Sequence, residues 1–414
     1  MPVNHLKLRL SRVVLIIVFS LLNYSSFAEI EQTRLDAVEE DLQGRVDEGK
    51  LSGAVIMIAQ DGEIQMTKSL GYQNVEDQIP MRDDTIFRIF SMTKPVTGTA
   101  LMILHDEGKF TLDDPIEKHL PELADLRVAI SANDDGTWET EPTNHPMTVR
   151  ELMSHTGGLL YFPPLGNGPI AQAYVEAGIG GDATLAESMP QLKNIPLDYQ
   201  PGTKWVYSIS VDVQGYLIER LSGQNLDEFF KEKIFDPLGM SDTAFFVSPE
   251  KLNRFSRMYM PANGNLLRTD NLAAGLGGSF TEKPAFLAGG HGLTSTAADY
   301  MKFAQMHLNK GTLNGSRILS ENAIDLMRSN QLPATVPGIG QPYPGNVFGL
   351  DFAVVENSDI FQGAPAGTHW WWGIAGSWFW IDPVNNTVFI GMIQNNDILL
   401  SLEIHRAARS AIYE

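Results

Sequence analysis

Cysteine is absent from the 414 residues. That absence excludes disulfides, thiolate metal sites, a cysteine nucleophile and a lipid anchor on cysteine. Charge is sparse as well. Asp, Glu, Lys and Arg make up 19% of the chain and no charge run is long, which is a globular composition and not a disordered one. The charge present is one-sided. A formal net charge of -20 repels phosphates and anionic lipid, so neither nucleic acid nor a membrane surface is expected as a partner. There is no H-E-x-x-H, and the nine histidines offer no pair at metal-ligand spacing on a helix, so neither a metal nor another cofactor is expected. Internal repeats and low-complexity segments are also lacking.

Long apolar runs are missing too. Val13 to Leu22 is too short for a comfortable membrane span. It follows Lys7, Arg9 and Arg12 and precedes Ser26 and Ala28, which fit the −3 and −1 positions of a cleavage site. Residues 1–28 therefore read as a secretory signal peptide, with a mature start at Glu29 and a periplasmic or secreted product free of the membrane. Cleavage removes three positive and no negative charges, taking the net charge from -20 to -23.

What is there is a large apolar content, 43%, ample for a sizeable core in one large or two interleaved domains. Leu35, Val38, Leu42 and Val46 recur near helical spacing. Ala54 to Ala59 and Ile64 to Leu70 flank Asp61-Gly62, a hairpin signal. Residues 92–107 predict a buried helix stopped by Gly108, and Pro95 fits it only in the first turn, so its start is expected near Ser91. Helical stretches follow at 148–153, 210–222 and 226–234, with few strand patterns between. Phe348 to Val355, Trp378 to Asp382 and Val388 to Gln394 read as strands, and 397–412 as a closing helix. Strands at both ends and helices between them predict an α/β (α+β) fold. An antiparallel sheet would be built from 29–110 and 285–414, with 111–284 as a mostly helical subdomain.

Phe90-Ser91-Met92-Thr93-Lys94-Pro95 carries the chemistry. A serine and a lysine three apart share one helix face, and a helix N-terminus adds a positive field and free N–H groups. An activated serine needs those conditions: a base nearby and donors for an oxyanion. Spacing alone does not decide, because an N-cap serine before a solvated lysine has it too. Ser248-Pro249-Glu250-Lys251 repeats it in surroundings that suit a surface helix cap.

Phe87 to Lys94 closely resembles the nucleophile motif of class C β-lactamases and family VIII carboxylesterases. The segments Leu152–Leu159, Gln200–Ser208 and Gly289–Tyr300 resemble others of that family, in family order. The likeness covers roughly residues 50–395. It implies a β-lactamase-like fold and a serine hydrolase in which Ser91 forms an acyl-enzyme, with Lys94 against its hydroxyl and Tyr207 sharing the proton path. An adjacent ammonium would lower the tyrosine pKa. Which of Lys94 and Tyr207 takes the proton stays open, and His155 reads as a loop-fixing residue. In place of the family's Lys-Thr-Gly stands Trp371-Trp372-Gly373. The resemblance implies an oxyanion hole from the N–H groups of Ser91 and Ile374. Trp371, Trp372, Gly373 and Tyr161 are the expected substrate-binding residues. The glycine would let the strand approach substrate, and strand alternation would let only one of the two tryptophans face the cleft. Arg317, Arg328, Arg406 or His369 could replace the missing lysine. The expected substrate is a small ester or amide. An esterase is preferred, with a β-lactamase or D-amino-acid peptidase as the alternative and a non-catalytic binding protein as a third reading.

Overall fold

The computed structural model describes residues 29–133, 136–270 and 278–414. The expected signal peptide lies outside the described residues.

Helix α1 (Gln32–Asp47) buries Leu35, Val38 and Leu42. Strand β1 (Gly53–Gln60) is buried at all eight positions, and the Asp61-Gly62 turn returns the chain into β2 (Glu63–Asn74) and the short β3 (Ile79–Pro80). Five strands come from the far end of the chain: β4 (Asn346–Phe348), β5 (Ala353–Val355), β6 (His369–Trp372), β7 (Trp378–Asp382) and β8 (Thr387–Ile393). The sheet order is β4-β5-β6-β7-β8-β1-β2-β3, and every pair is antiparallel. The chain termini thus meet at β1–β8, where Ala54 faces Ile393 and Gln60 faces Thr387. A strand in mid-sheet with both faces covered has no polar side to show, which is why Ala54–Ala59 is apolar throughout.

Alternation along β7 shows what covers each face. Trp378 and Trp380 point toward the C-terminal helix α6 (Ile398–Tyr413), meeting His405 and Tyr413. Phe379 points the other way, onto Tyr300 of α5 (Ala297–Leu308). On that second side lies α2 (Thr93–Asp106), buried from Thr93 to Leu104 and packed on α4 (Ser210–Ser222), which also meets the short α3 (Val149–Met153). Pro95 is its third residue, where a backbone N–H has no intrahelical acceptor to lose.

The expected strand Phe348 to Val355 is two strands. A turn at Gly349–Phe352, with Asp351 at φ 62°, reverses the chain and puts the Asp351 side chain in the core. Between residues 111 and 284 two hairpins occur that the apolar pattern does not show, 127–132 with 138–142 and 259–262 with 265–268. Among the described residues no helix is long and apolar enough to cross a membrane.

Candidate active site

Ser91 lies in a short 3-10 turn, Phe90–Met92, that feeds α2. The residue before it, Phe90, has φ 41°, in the region that non-glycine residues rarely enter. Its ring is held edge-on against Phe280, 5.6 Å between centroids. Strain of this kind persists only where packing fixes it, and it concentrates at sites of chemistry.

Three bonds fasten the start of α2 to the Gly289–Tyr300 segment. Thr97 donates to the Gly289 carbonyl (2.6 Å), Lys94 Nζ to the Gly290 carbonyl (2.8 Å), and the Leu293 N–H to Thr93 Oγ1 (3.1 Å). With its ammonium fixed by Gly290, Lys94 also reaches Ser91 Oγ at 3.3 Å. The side chain is fully buried, above the rings of Tyr207 (4.5 Å) and Tyr161 (5.4 Å). Burial pushes the Lys94 ammonium down to about 7, against the pull of two buried carboxylates, Asp212 and Asp351. Asp212 accepts the Gly290 N–H at 3.0 Å, so one residue, Gly290, links the lysine and the acid through its N–H and its carbonyl. Burial raises both acids, Asp212 to about 6. Each keeps one oxygen without a hydrogen-bond partner among the described residues.

Tyr207 Oη lies near the Ser91 hydroxyl and accepts the Trp371 indole N–H at 3.2 Å. The expected lowering of its pKa does not hold. Burial raises it well above 10, although the Lys94 ammonium lies 4.5 Å from the ring centroid. His155 is buried behind it, 5.0 Å from the Tyr207 ring, with Nδ1 2.9 Å from Ser208 Oγ. It fixes the loop, as expected.

A cleft of about 310 Å³ opens on Ser91 and Tyr207. Trp205, Tyr343 and Ile374 line it with both edge tryptophans. Strand alternation fails to separate Trp371 from Trp372 because β5 pairs with β6 only as far as Trp370. Past that point β6 has a free edge, and the cleft wraps around it. Trp371 stacks toward Tyr207 from one side, while Trp372 donates to Tyr343 Oη (2.6 Å) and meets His405 on the other. Gly373 serves a different approach from the expected one. A Cβ there would lie 2.3 Å from the Ile89 carbonyl oxygen, so glycine lets the strand end press on the nucleophile turn. Ile374 thereby lines the cleft beside Ser91.

Tyr161 is not on the cleft. It stacks behind Tyr207 at 5.6 Å, and its hydroxyl lies 3.2 Å from His291 Nδ1; Leu165 of the same loop faces the opening instead. None of the expected replacement cations lines the cleft. Arg317 bonds to the Leu319 carbonyl, Arg328 pairs with Asp325, and His369 is buried, pushed down to about 3 by burial and so neutral. Arg406 lies in an adjoining pocket. The second Ser-x-x-Lys is at the surface, as expected, but Ser248 bonds to Glu250 rather than capping a backbone N–H.

Spacing together with the family resemblance pointed to Ser91 and Lys94, and the resemblance to Tyr207, but neither pointed to Asp212, Asp351 or the Gly290 carbonyl. Asp212, five residues past Tyr207 in a helical stretch, carried a signal in hindsight: a charged residue among Val211, Val213 and Leu217.

A family model described as Beta-lactamase matches residues 36–409. An esterase of Burkholderia gladioli, EstB, is 32% identical over 368 residues, covering 84% of this chain and 86% of its own. The lovastatin esterase of Penicillium rubens is 28% identical, covering 86% and 92%. The solved structure of EstCE1, described as a hydrolase with promiscuous acyltransferase activity, is 25% identical with a TM-score of 0.77 and covers 92% of this chain and 99% of its own. The chain belongs to the β-lactamase family and is a serine hydrolase of that fold.

Proposed function

We propose that the chain is a carboxylic ester hydrolase working through an acyl-enzyme on Ser91. The observation that carries this reading is a Ser91–Lys94 pair at 3.3 Å opening on a cleft lined, among the described residues, by no charged side chain.

A lysine brought to about 7 is half in its free-amine form near neutrality, so Lys94 is the base in this reading. It accepts the Ser91 hydroxyl proton as Oγ bonds to the ester carbonyl carbon. The carbonyl oxygen becomes an oxyanion, received by the N–H groups of Ser91 and Ile374. The C–O bond to the alcohol then breaks. Tyr207, a neutral phenol at this pH, gives its proton to the departing oxygen and is reprotonated by the Lys94 ammonium. Water repeats the sequence on the acyl-enzyme and releases the acid. Tryptophan faces suit the acyl or alcohol group. The esterases among the relatives agree with this class.

Residues 1–28 are proposed to act as a cleaved signal peptide, and retention of those residues in the intact mass of exported protein would remove that part.

The test is fluorophosphonate labelling followed by hydrolysis of p-nitrophenyl butyrate. Ser91 is expected to be the labelled residue. Ser91→Ala should lose labelling and about a thousandfold or more of the rate while melting like the parent. A tenth of the rate surviving in a clean preparation overturns the assignment, and an unlabelled wild type returns the chain to a binding protein.

A further inference from the structure

Next to the cleft is a second pocket, about 150 Å³, sharing Gln341, Pro342, Tyr343 and Leu402 with it. Two arginines of α6 line this pocket, Arg406 and Arg409. Arg409 is only 8% exposed. Its guanidinium lies over Phe361 at 4.1 Å and near Trp370 at 5.7 Å, and Nε donates to Gln362 Oε1 at 3.0 Å. Neither arginine has a carboxylate partner among the described residues, in a chain where acids outnumber bases by 50 to 30. Burial, and then the charge of Arg406, pushes the Arg409 guanidinium down to about 9.

A buried cation without a counter-ion is costly, and folded proteins usually pair it. Here the free edge of that guanidinium lines a cavity instead of meeting an acid. The neighbouring cation deepens the cost of an empty pocket and adds to the attraction for an anion. A planar fork flanked by an aromatic ring is suited to a carboxylate.

We propose that Arg406 and Arg409 form a subsite for a carboxylate carried by the substrate itself, remote from the bond that is cut. The inference rests on the esterase reading and deepens it. Leu402, Arg406 and Arg409 stand at i, i+4 and i+7 on one face of α6, and Leu402 also lines the cleft. Seven residues of helix span about 10 Å. The second pocket does not include Ser91, so a carboxylate held there sits on a chain that runs beyond the cleft.

Two ester series test this on the full enzyme. One carries a terminal carboxylate on the acyl chain, as p-nitrophenyl half-esters of dicarboxylic acids. The other carries it on the alcohol, as butyrate esters of ω-hydroxy acids. Each is compared with its methyl-capped twin over increasing chain length. In at least one series kcat/KM is expected to favour the acid over its twin by about tenfold or more at the matching length. That ratio should fall toward one in Arg409→Met and in the more exposed Arg406→Gln. Free suberate should compete with the favoured ester in wild type and not in the variants. A ratio near one at every length in both series, or a preference that survives in both variants, overturns the subsite. Fluorophosphonate labelling of Ser91 is scored separately, so loss of the subsite and loss of the esterase reading give different results.

Discussion

At the scale of single residues, Lys94 is a buried cation that costs the fold free energy. Burying an ammonium favours the free amine, which makes a base but strains the fold. The sign follows from the shift. With a folded pKa near 7 and an unfolded one near 10.5, the unfolded chain binds more protons between those values. Stability therefore rises with pH from 7 to 10.5, and below 7 the penalty is complete. Lys94→Met should melt above wild type at pH 6, with a gain that shrinks toward pH 10, while activity is lost. A variant less stable than wild type at pH 6 contradicts the account of a costly buried cation. In the wild type, kcat/KM for a neutral ester should rise with pH to a plateau with a midpoint near 7. A midpoint well above 10 would transfer the base role to Tyr207. Lys94→Met and Tyr207→Phe should each be crippling and together little worse, because residues on one proton path are not additive. Multiplying effects in the double variant would separate them.

Elements explain how much of this was legible. The β1–β2 hairpin was readable because Asp61-Gly62 sits between two apolar runs, and the start of α2 because Pro95 allows few positions. Ser91 and Lys94 followed from their three-residue spacing together with the neighbouring motifs. The turn between β4 and β5 was obscured because Asp351, which marks it, is buried against Gln214 with Leu350 and Phe352 on either side. Tyr161 lies behind the cleft because sequence does not say which of two stacked rings, its own or that of Tyr207, faces the opening. The tryptophan pair misled for a topological reason: alternation assumes a neighbour on both sides, and β5 ends too soon. The same loss of a neighbour lets β6 press Gly373 onto the nucleophile turn. Gly373→Ala should push the strand from Ile89 and with it Ile374 from Ser91. A misplacement of about 1 Å can cost about a hundredfold in rate, while overpacking costs about 1–3 kcal/mol of stability. A kcat on p-nitrophenyl butyrate within twofold of wild type would show that this contact does not set the geometry.

For the whole molecule, the distribution of charge predicts the substrate class. The chain is strongly acidic, and an anionic substrate gains no long-range attraction from it. Within the cleft no cation meets a carboxylate near the scissile carbonyl, because Trp371 and Trp372 occupy the edge where the family carries lysine. A charge-assisted hydrogen bond of that kind contributes about 1.5–3 kcal/mol. A β-lactam carboxylate there would shed water against indole rings without a partner. Neutral short-chain esters avoid both costs, and a good leaving group needs little protonation from Tyr207. The enzyme should therefore cleave p-nitrophenyl butyrate with at least about tenfold higher kcat/KM than a chromogenic cephalosporin, the lower end of that hydrogen-bond range. Part of the deficit should be electrostatic. Raising salt from 0.05 to 0.5 M is expected to narrow the gap by screening the acidic surface while leaving the rate on the neutral ester nearly unchanged. Equal or better efficiency on the cephalosporin at low salt would show that the tryptophan edge does not exclude a carboxylate, and would return the chain to the β-lactamase reading.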